Sequence, residues 1–287
     1  MLNDTSMQPS ILICECVHTA HIGEIKSQAI RASLNAAGIS YTAVPDLCEL
    51  ATRKDPRLKE FAGARNIRIL ACYPRTVRAL FHFAGAPIES QNAEVLNVRE
   101  LSAEAAVSQL GIALAPAELG SQSAPEPKKT DWIPWFPVLD YERCSNCQQC
   151  LGFCLFGVYA LSAEGKVTVE NPQACKTNCP ACARICPEVA IIFPKYESGA
   201  IAGAEITDES LEKSRAQADL QKLLGSNVYG TLAERREKAR SRRLLRKDFA
   251  QAHDERKAFL QKSGLENPEV PPRTSGSQSS DSIAPTP

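Results

Sequence analysis

The chain has 287 residues, and its 33 Lys and Arg are matched by 33 Asp and Glu, so its formal net charge at pH 7 is zero. That length allows two modest domains with tails, because domains usually run to about 100–150 residues. No run approaches the roughly 20 consecutive apolar residues that span a bilayer. The start, residues 1–10, is polar, and Cys14, Glu15 and Cys16 interrupt the apolar run at 11–17, unlike the core of a signal peptide. A cytoplasmic protein without a membrane span is the expectation.

Residues 9–112 read as an α/β domain. Ile11, Leu12, Ile13 and Cys14 form a buried strand, and residues 24–37 an amphipathic helix closed by Gly38. Residues 41–47 read as a second strand, followed by a charged helical stretch to about Ala64. A third strand covers 67–71, a helix ending at Gly85 covers 76–84, a fourth strand 95–98, and a last helix 103–110. This alternation predicts a parallel sheet with right-handed crossovers and helices on its faces. Residues 113–131, rich in Ala, Pro, Ser and Lys, read as a linker. Residues 132–197 hold the dense cysteines and form an α+β region. Trp132 and Trp135, set among prolines, should pack its start against the first domain, or else form an exposed docking spot. Residues 207–265 read as helical and charged, with eleven Lys or Arg against five acids over 231–262. The Ser- and Pro-rich stretch 266–287 lacks aromatics and reads as a disordered tail.

Twelve cysteines decide the chemistry. Without an export signal, clustered thiols point to metal ligands before disulfides. Eight of them form the runs Cys144-x2-Cys147-x2-Cys150-x3-Cys154 and Cys175-x3-Cys179-x2-Cys182-x3-Cys186-Pro187. A four-iron cubane needs four converging thiolates. A C-x2-C-x2-C-x3-C run wraps three of them around one cluster and sends its fourth cysteine to the other. The expected ligand sets are therefore Cys144, Cys147, Cys150 and Cys186 for one 4Fe–4S cluster, and Cys175, Cys179, Cys182 and Cys154 for a second. Zinc is the bland alternative, but zinc sites favour two C-x2-C knuckles separated by a longer stretch.

With the segments Phe156-Gly157-Val158-Tyr159-Ala160 and Pro187-Glu188-Val189-Ala190-Ile191 after the two runs, some 60 residues resemble bacterial two-cluster ferredoxins. The resemblance implies a small pseudo-symmetric fold of hairpins and helices. Residues 159–161 and 167–169, joined by Ala163, Glu164, Gly165 and Lys166, suit a hairpin between its halves. Two departures stand out: Leu155 replaces the usual proline, which is not a ligand, and the second run has one extra residue before Cys179, which a bulged loop can absorb.

The other four cysteines lie in the first domain. Cys14 and Cys16 fall at the carboxyl end of the first strand, Cys48 just after the second, and Cys72 at the end of the third. In an open parallel sheet the carboxyl ends of the strands share one edge, where ligands bind, so four thiols distant in sequence should be neighbours. Buried core cysteines, zinc or a redox disulfide are the alternatives. Ile13-Cys14-Glu15-Cys16, Leu47-Cys48, Ala71-Cys72-Tyr73-Pro74-Arg75, Ala84-Gly85-Ala86-Pro87 and Val95 through Asn97-Val98-Arg99-Glu100 span about 90 residues. Together they resemble the amino-terminal domain found in the A-type component of heterodisulfide reductases. That resemblance implies a third 4Fe–4S cluster on Cys14, Cys16, Cys48 and Cys72. Val17 stands where the family usually has glycine. No G-x-G-x-x-G follows a strand and no P-loop is present, so no flavin or nucleotide site is readable.

Among weaker signals, His18 and His21 read as surface or helix-cap histidines, and His82 and His253 suggest no chemistry. Arg75 and Arg99 could steer acidic partners or offset cluster charge, with ordinary surface or ion-pair roles the alternative. The basic stretch 235–247 reads as a solvated or partner-docking helix, with nucleic acid a less favoured ligand because acids dilute its field. The composite expectation is an electron carrier or electron-relay subunit of a larger oxidoreductase, with a redox protein as partner, rather than a free-standing enzyme. A cluster-sensing regulatory or nucleic-acid-binding protein is the alternative.

Overall fold

In the computed structural model of the protein, residues 10–115 and 132–224 are described, with Gly230, Glu234 and Glu237 beyond them. Most of the expected linker, the basic stretch 235–247 and the tail 266–287 lie outside the described residues.

Four parallel strands, β1 (Ile11–Cys14), β2 (Tyr41–Val44), β3 (Ile67–Ala71) and β4 (Ala93–Asn97), form a sheet in the order β2-β1-β3-β4. Ile11 stands opposite both Tyr41 and Arg68, and Ile67 opposite Ala93. Strand β1 is buried at all four positions, which is why it reads as a continuous apolar run rather than an alternating one. The helices are α1 (Glu24–Ala36), α2 (Leu47–Thr52), α3 (Arg57–Gly63), α4 (Pro74–Phe83) and α5 (Ala103–Gln109). α1 packs with α5 and α2 with α4, the pairing of two helical layers over a parallel sheet. From β1 the chain crosses to β2 on one side, whereas β3 is followed by β4 on the other. The carboxyl ends of β1 and β3 thus mark a switch point, where such sheets open a crevice.

Two elements differ from the sequence reading. The second strand stops at Val44, because Asp46 caps α2 by accepting from the backbone N–H groups of Cys48 (2.9 Å) and Glu49 (3.2 Å). Cys48, expected just after the strand, therefore sits in the first turn of a helix. The single helical stretch expected up to Ala64 is two helices, broken at Asp55-Pro56. Proline cannot donate to a helical ladder, and it pushes the residue before it out of the helical region.

The cysteine-rich part holds β5 (Val138–Leu139), α6 (Gln149–Phe153), β6 (Tyr159–Leu161), β7 (Val167–Val169), α7 (Ala181–Arg184) and β8 (Ile191–Ile192), followed by α8 (Glu209–Leu224). β5 pairs antiparallel with β8, and β6 with β7 as the expected hairpin, with Tyr159 opposite Val169 and Leu161 opposite Val167. One buried cluster gathers Trp135, Leu139, Val158, Val167, Ile191 and Phe193. The core of the α/β part does not stop at its own last helix: it takes in Phe136, Val138 and Ile192 from the cysteine-rich part. Phe136 meets Phe83 of α4 with ring centroids 5.3 Å apart and stacks with Trp132 at 6.4 Å, so the two tryptophan positions flank a seam, as expected. At the same seam Thr76 donates its hydroxyl to the carbonyl of Ala202 at 2.7 Å. Gly203, at φ +98°, lies so close that a Cβ there would come within 1.8 Å of the Thr76 hydroxyl. Both parts, through α8, belong to one compact unit.

Candidate metal centre

The two cysteine runs fold as near repeats. In the first, Asn146 and Gln148 take left-handed backbone (φ +57° and +60°), which lets a short loop turn Cys144, Cys147 and Cys150 toward a common interior. Asn146 is anchored as well: its Nδ2 donates to the Gly165 carbonyl at 3.0 Å, and its Oδ1 accepts from the Val167 amide at 2.9 Å. Asn178 (φ +60°) plays the same backbone role before Cys179, so the extra residue of the second run is absorbed ahead of it. Gly157 and Val189, each three residues past the last cysteine of a run, are also left-handed (φ +71° and +50°). Val189 is an outlier for a β-branched residue.

The thiols sort across the runs. Burial pushes the Cys150 thiol up to about 12, and the neighbouring Cys186, Cys147 and Cys144 raise it further by like-charge repulsion. Cys186 is raised by burial and, in turn, by Cys147 and Cys144. The same four cysteines line one cleft with Leu139, Val167 and Ile191. In the other group, burial pushes Cys175 up to about 12, with Cys154 and Cys179 adding to it. Cys182 is raised well above its usual range by burial and then by Cys154, Cys175 and Cys150, although the Tyr159 hydrogen bond opposes this. The structure thus brings Cys186 to the first run and Cys154 to the second.

Donors point at these sulfurs. The Tyr159 hydroxyl, fully enclosed, lies 3.1 Å from the sulfur of Cys182, and the Ala190 amide donates to Cys186 at 3.4 Å. Asp140 accepts from the Cys144 amide at 3.0 Å through its backbone carbonyl. Leu155 and Phe156, directly after Cys154, are exposed, so the loop of the second group meets solvent.

At the switch-point edge, Cys14 ends β1, Cys16 follows in left-handed backbone (φ +52°), Cys48 opens α2, and Cys72 follows β3. Cys14, Cys16 and Cys48 are buried; the Cys72 thiol is enclosed although the residue is partly exposed. Burial raises Cys14 and Cys48 well above the ordinary thiol range and Cys72 to about 12. Cys14 feels Cys16, Cys72 feels Cys16, and Cys48 feels both Cys72 and Cys16, so the four predicted thiols form one neighbourhood. The Leu47 amide donates to the Cys14 sulfur at 3.4 Å.

Sequence reasoning misses two members of this neighbourhood. Asp46 is fully buried, and Lys195, from the cysteine-rich part, has only 1% of its side chain exposed. Lys195 donates to the carboxylate of Asp46 and to the Cys16 sulfur at 3.2 Å. Burial disfavours the charge on this lysine, but Cys48, Asp46, Cys16 and Cys14 outweigh it and raise the ammonium well above its usual range. Asp46 carries a readable signal, an Asp before a helical segment; a lone lysine after Pro194 carries none. The weaker candidates are also placed. The His18 side chain is turned inward and pairs with Glu49 at 3.0 Å, contrary to the expected surface or cap role, because Glu49 faces inward from α2. The His21 ring donates to the Lys195 carbonyl at 3.2 Å, and the exposed His82 lies 4.5 Å from the Tyr141 ring. Arg75 and Arg99 bind the other part of the unit rather than solvent. Arg75 reaches Asp140, Val189 and Ala204, and Arg99 reaches the carbonyls of Tyr196 and Glu197.

Among the described residues no three His, Cys, Asp or Glu side chains gather around one point as ligands of a single ion.

Residues 136–201 match the family described as 4Fe-4S dicluster domain. Over 68 residues the chain is 50% identical to an uncharacterized ferredoxin of Methanocaldococcus jannaschii, a stretch covering 23% of this chain and 46% of that protein. The chain therefore spans about half the length of that relative. No solved structure matches. The cysteine-rich part is a ferredoxin-type, metal-binding, iron–sulfur segment, and the chain is an iron–sulfur protein. Among the described residues no helix is long and apolar enough to cross a membrane.

Proposed function

We propose that this protein is an electron carrier, or an electron-relay subunit of a larger oxidoreductase, that holds two 4Fe–4S clusters in the cysteine-rich part and a third at the switch-point edge. The ligand sets are Cys144, Cys147, Cys150 and Cys186; Cys154, Cys175, Cys179 and Cys182; and Cys14, Cys16, Cys48 and Cys72. The observation that carries the reading is the crossed sorting of the eight clustered thiols, each run lending its last cysteine to the other group. Two independent zinc knuckles would not need that exchange. The third set is supported by the convergence of four thiols from three separate strand ends on one buried edge.

Such clusters, when bound, supply one-electron chemistry. The chain's own residues do the rest. The left-handed turns at Asn146, Gln148 and Asn178 aim the thiols inward. Leu139, Val167 and Ile191 give the first group an apolar wall. The Tyr159 hydroxyl and the Ala190 and Leu47 amides donate to sulfurs, which stabilises added negative charge. The exposed Leu155 and Phe156 beside Cys154 suit the approach of a redox protein at the second group. The test is iron and acid-labile sulfide per chain on full-length protein purified without oxygen. About twelve irons support three clusters, and about eight confine them to the cysteine-rich part. Zinc in a colourless preparation overturns the electron-transfer reading.

A further inference from the structure

The chain segment after β8 is laid over the switch-point edge and pinned there from the α/β part. His21 donates to the Lys195 carbonyl, and Arg99 to the Tyr196 and Glu197 carbonyls. From this segment the Lys195 side chain turns inward, not toward solvent. Its ammonium contacts the Cys16 sulfur and the carboxylate of Asp46, and it lies within electrostatic reach of Cys14, Cys48 and Cys72. Asp46 is committed on its other side to the amides of Cys48 and Glu49. A buried charge pair is a poor source of stability, since desolvation cancels most of its attraction. Hydrophobic residues of the same size would hold the seam as well. The placement is instead informative about charge: one fixed cation, excluded from water, stands against a group of thiols that would carry further negative charge on reduction.

We propose that Lys195 is a charge-setting residue for the amino-terminal four-thiol site, raising the reduction potential of the centre held there, with Asp46 as its counterweight. The ammonium favours the more negative, reduced state, and the Asp46 carboxylate disfavours it. Because Lys195 belongs to the cysteine-rich part, that site is electrostatically complete only when the two parts are packed together. This inference rests on reading Cys14, Cys16, Cys48 and Cys72 as ligands of a third cluster.

The experiment is a dithionite titration with redox mediators, followed by electron paramagnetic resonance, on anaerobic full-length wild type, K195Q, K195R and D46N, with iron counted in each. K195Q is expected to move the midpoint of one component to a more negative value and D46N to move the same component to a more positive one. K195R is expected to leave it in place, with the other components unmoved throughout. Shifts of opposite sign are a signature that loss of a merely structural contact would not give. Should K195Q fail to fold, an unmoved midpoint in K195R together with a positive shift in D46N supports the proposal, and no shift in D46N overturns it. About twelve irons with every midpoint unchanged overturns the role of Lys195 and leaves the third cluster standing; about eight irons in wild type overturns both.

Discussion

Replacing Arg75 by alanine should loosen the whole unit. Its Nε donates to the Asp140 carboxylate at 3.0 Å, and its two terminal nitrogens donate to the carbonyls of Ala204 and Val189, each at 3.0 Å. Each partner of the Arg75–Asp140 pair keeps only 12% of its side-chain exposure, so removing the cation strands a largely desolvated carboxylate and two carbonyls. Losing one partner of a fully buried pair costs about 3–5 kcal/mol. Residual solvent and partial rehydration of the carbonyls discount that to about 3 kcal/mol for this seam. For a unit of this size the loss corresponds to a fall in melting temperature of about 6–12 °C. Arg75→Lys should lose about half as much, since an ammonium cannot reproduce the planar three-way fork. The effect should also reach the first thiol group, because Asp140 holds the Cys144 amide and Val189 precedes Ala190, whose amide donates to Cys186. The assay is thermal unfolding of anaerobic full-length protein, run as a double-mutant cycle with Asp140→Asn. A fall below about 2 °C for Arg75→Ala, or strict additivity in the cycle, would refute the account of the seam.

Three further outcomes are expected. Tyr159→Phe removes an enclosed hydroxyl beside the Cys182 sulfur; it should cost about 1 kcal/mol and move one midpoint to a more negative value in a redox titration. Asn146→Ala forfeits both side-chain bonds to the hairpin and places a Cβ-bearing residue without local support at φ +57°. It should cost about 2–3 kcal/mol by thermal melt and lower the iron retained per chain, whereas retention equal to wild type would show that the loop holds its shape unaided. His21 titrates below its ordinary 6.5, chiefly because of burial and then the Arg99 cation. The unfolded chain therefore takes up the proton first. Stability contributed by neutral His21 is present above pH 6.5 and is lost as pH falls through its lowered folded value. His21→Gln, which keeps an N–H for the Lys195 carbonyl, should flatten the melting temperature against pH on the acid side of 6.5. An unchanged acid slope would assign it to other groups.

Much of this is legible in the residues, for reasons that differ by region. Periodicity locates β1, β3 and the β6–β7 hairpin because each is bounded by strong local signals, and the x2-x2-x3 cysteine spacing carries the sorting of eight thiols in compact form. Leu47, the first residue of α2, reads as the end of the second strand because it is apolar; the deciding group is the side chain of Asp46. His18, Arg75, Arg99 and Lys195 read as surface residues, or carry no signal at all, for a common reason. Each is polar, and each finds its partner 31 to 179 positions away. Sequence patterns report on neighbours within a few residues; a long-range ion pair leaves no periodic trace. The same limit applies to Val189, whose left-handed backbone is imposed by its place in the second repeat and not by its own propensity.

The continuous core beneath Phe136, Val138 and Ile192 has a practical bearing on how the gene can be divided. A cut placed by composition, in the stretch between residues 115 and 132, looks like a join between two modules. Packing draws the border elsewhere, through the middle of one hydrophobic interior. An amino-terminal fragment ending there would present Phe83 without its aromatic neighbour and a buried Asp46 with its counter-cation gone. The complementary fragment would carry Lys195 into solvent and leave Ala202 without the Thr76 hydroxyl. Neither half is a transplantable cassette, and a chimera that swaps in a free-standing ferredoxin would have to bring along residues that recognise this particular sheet edge.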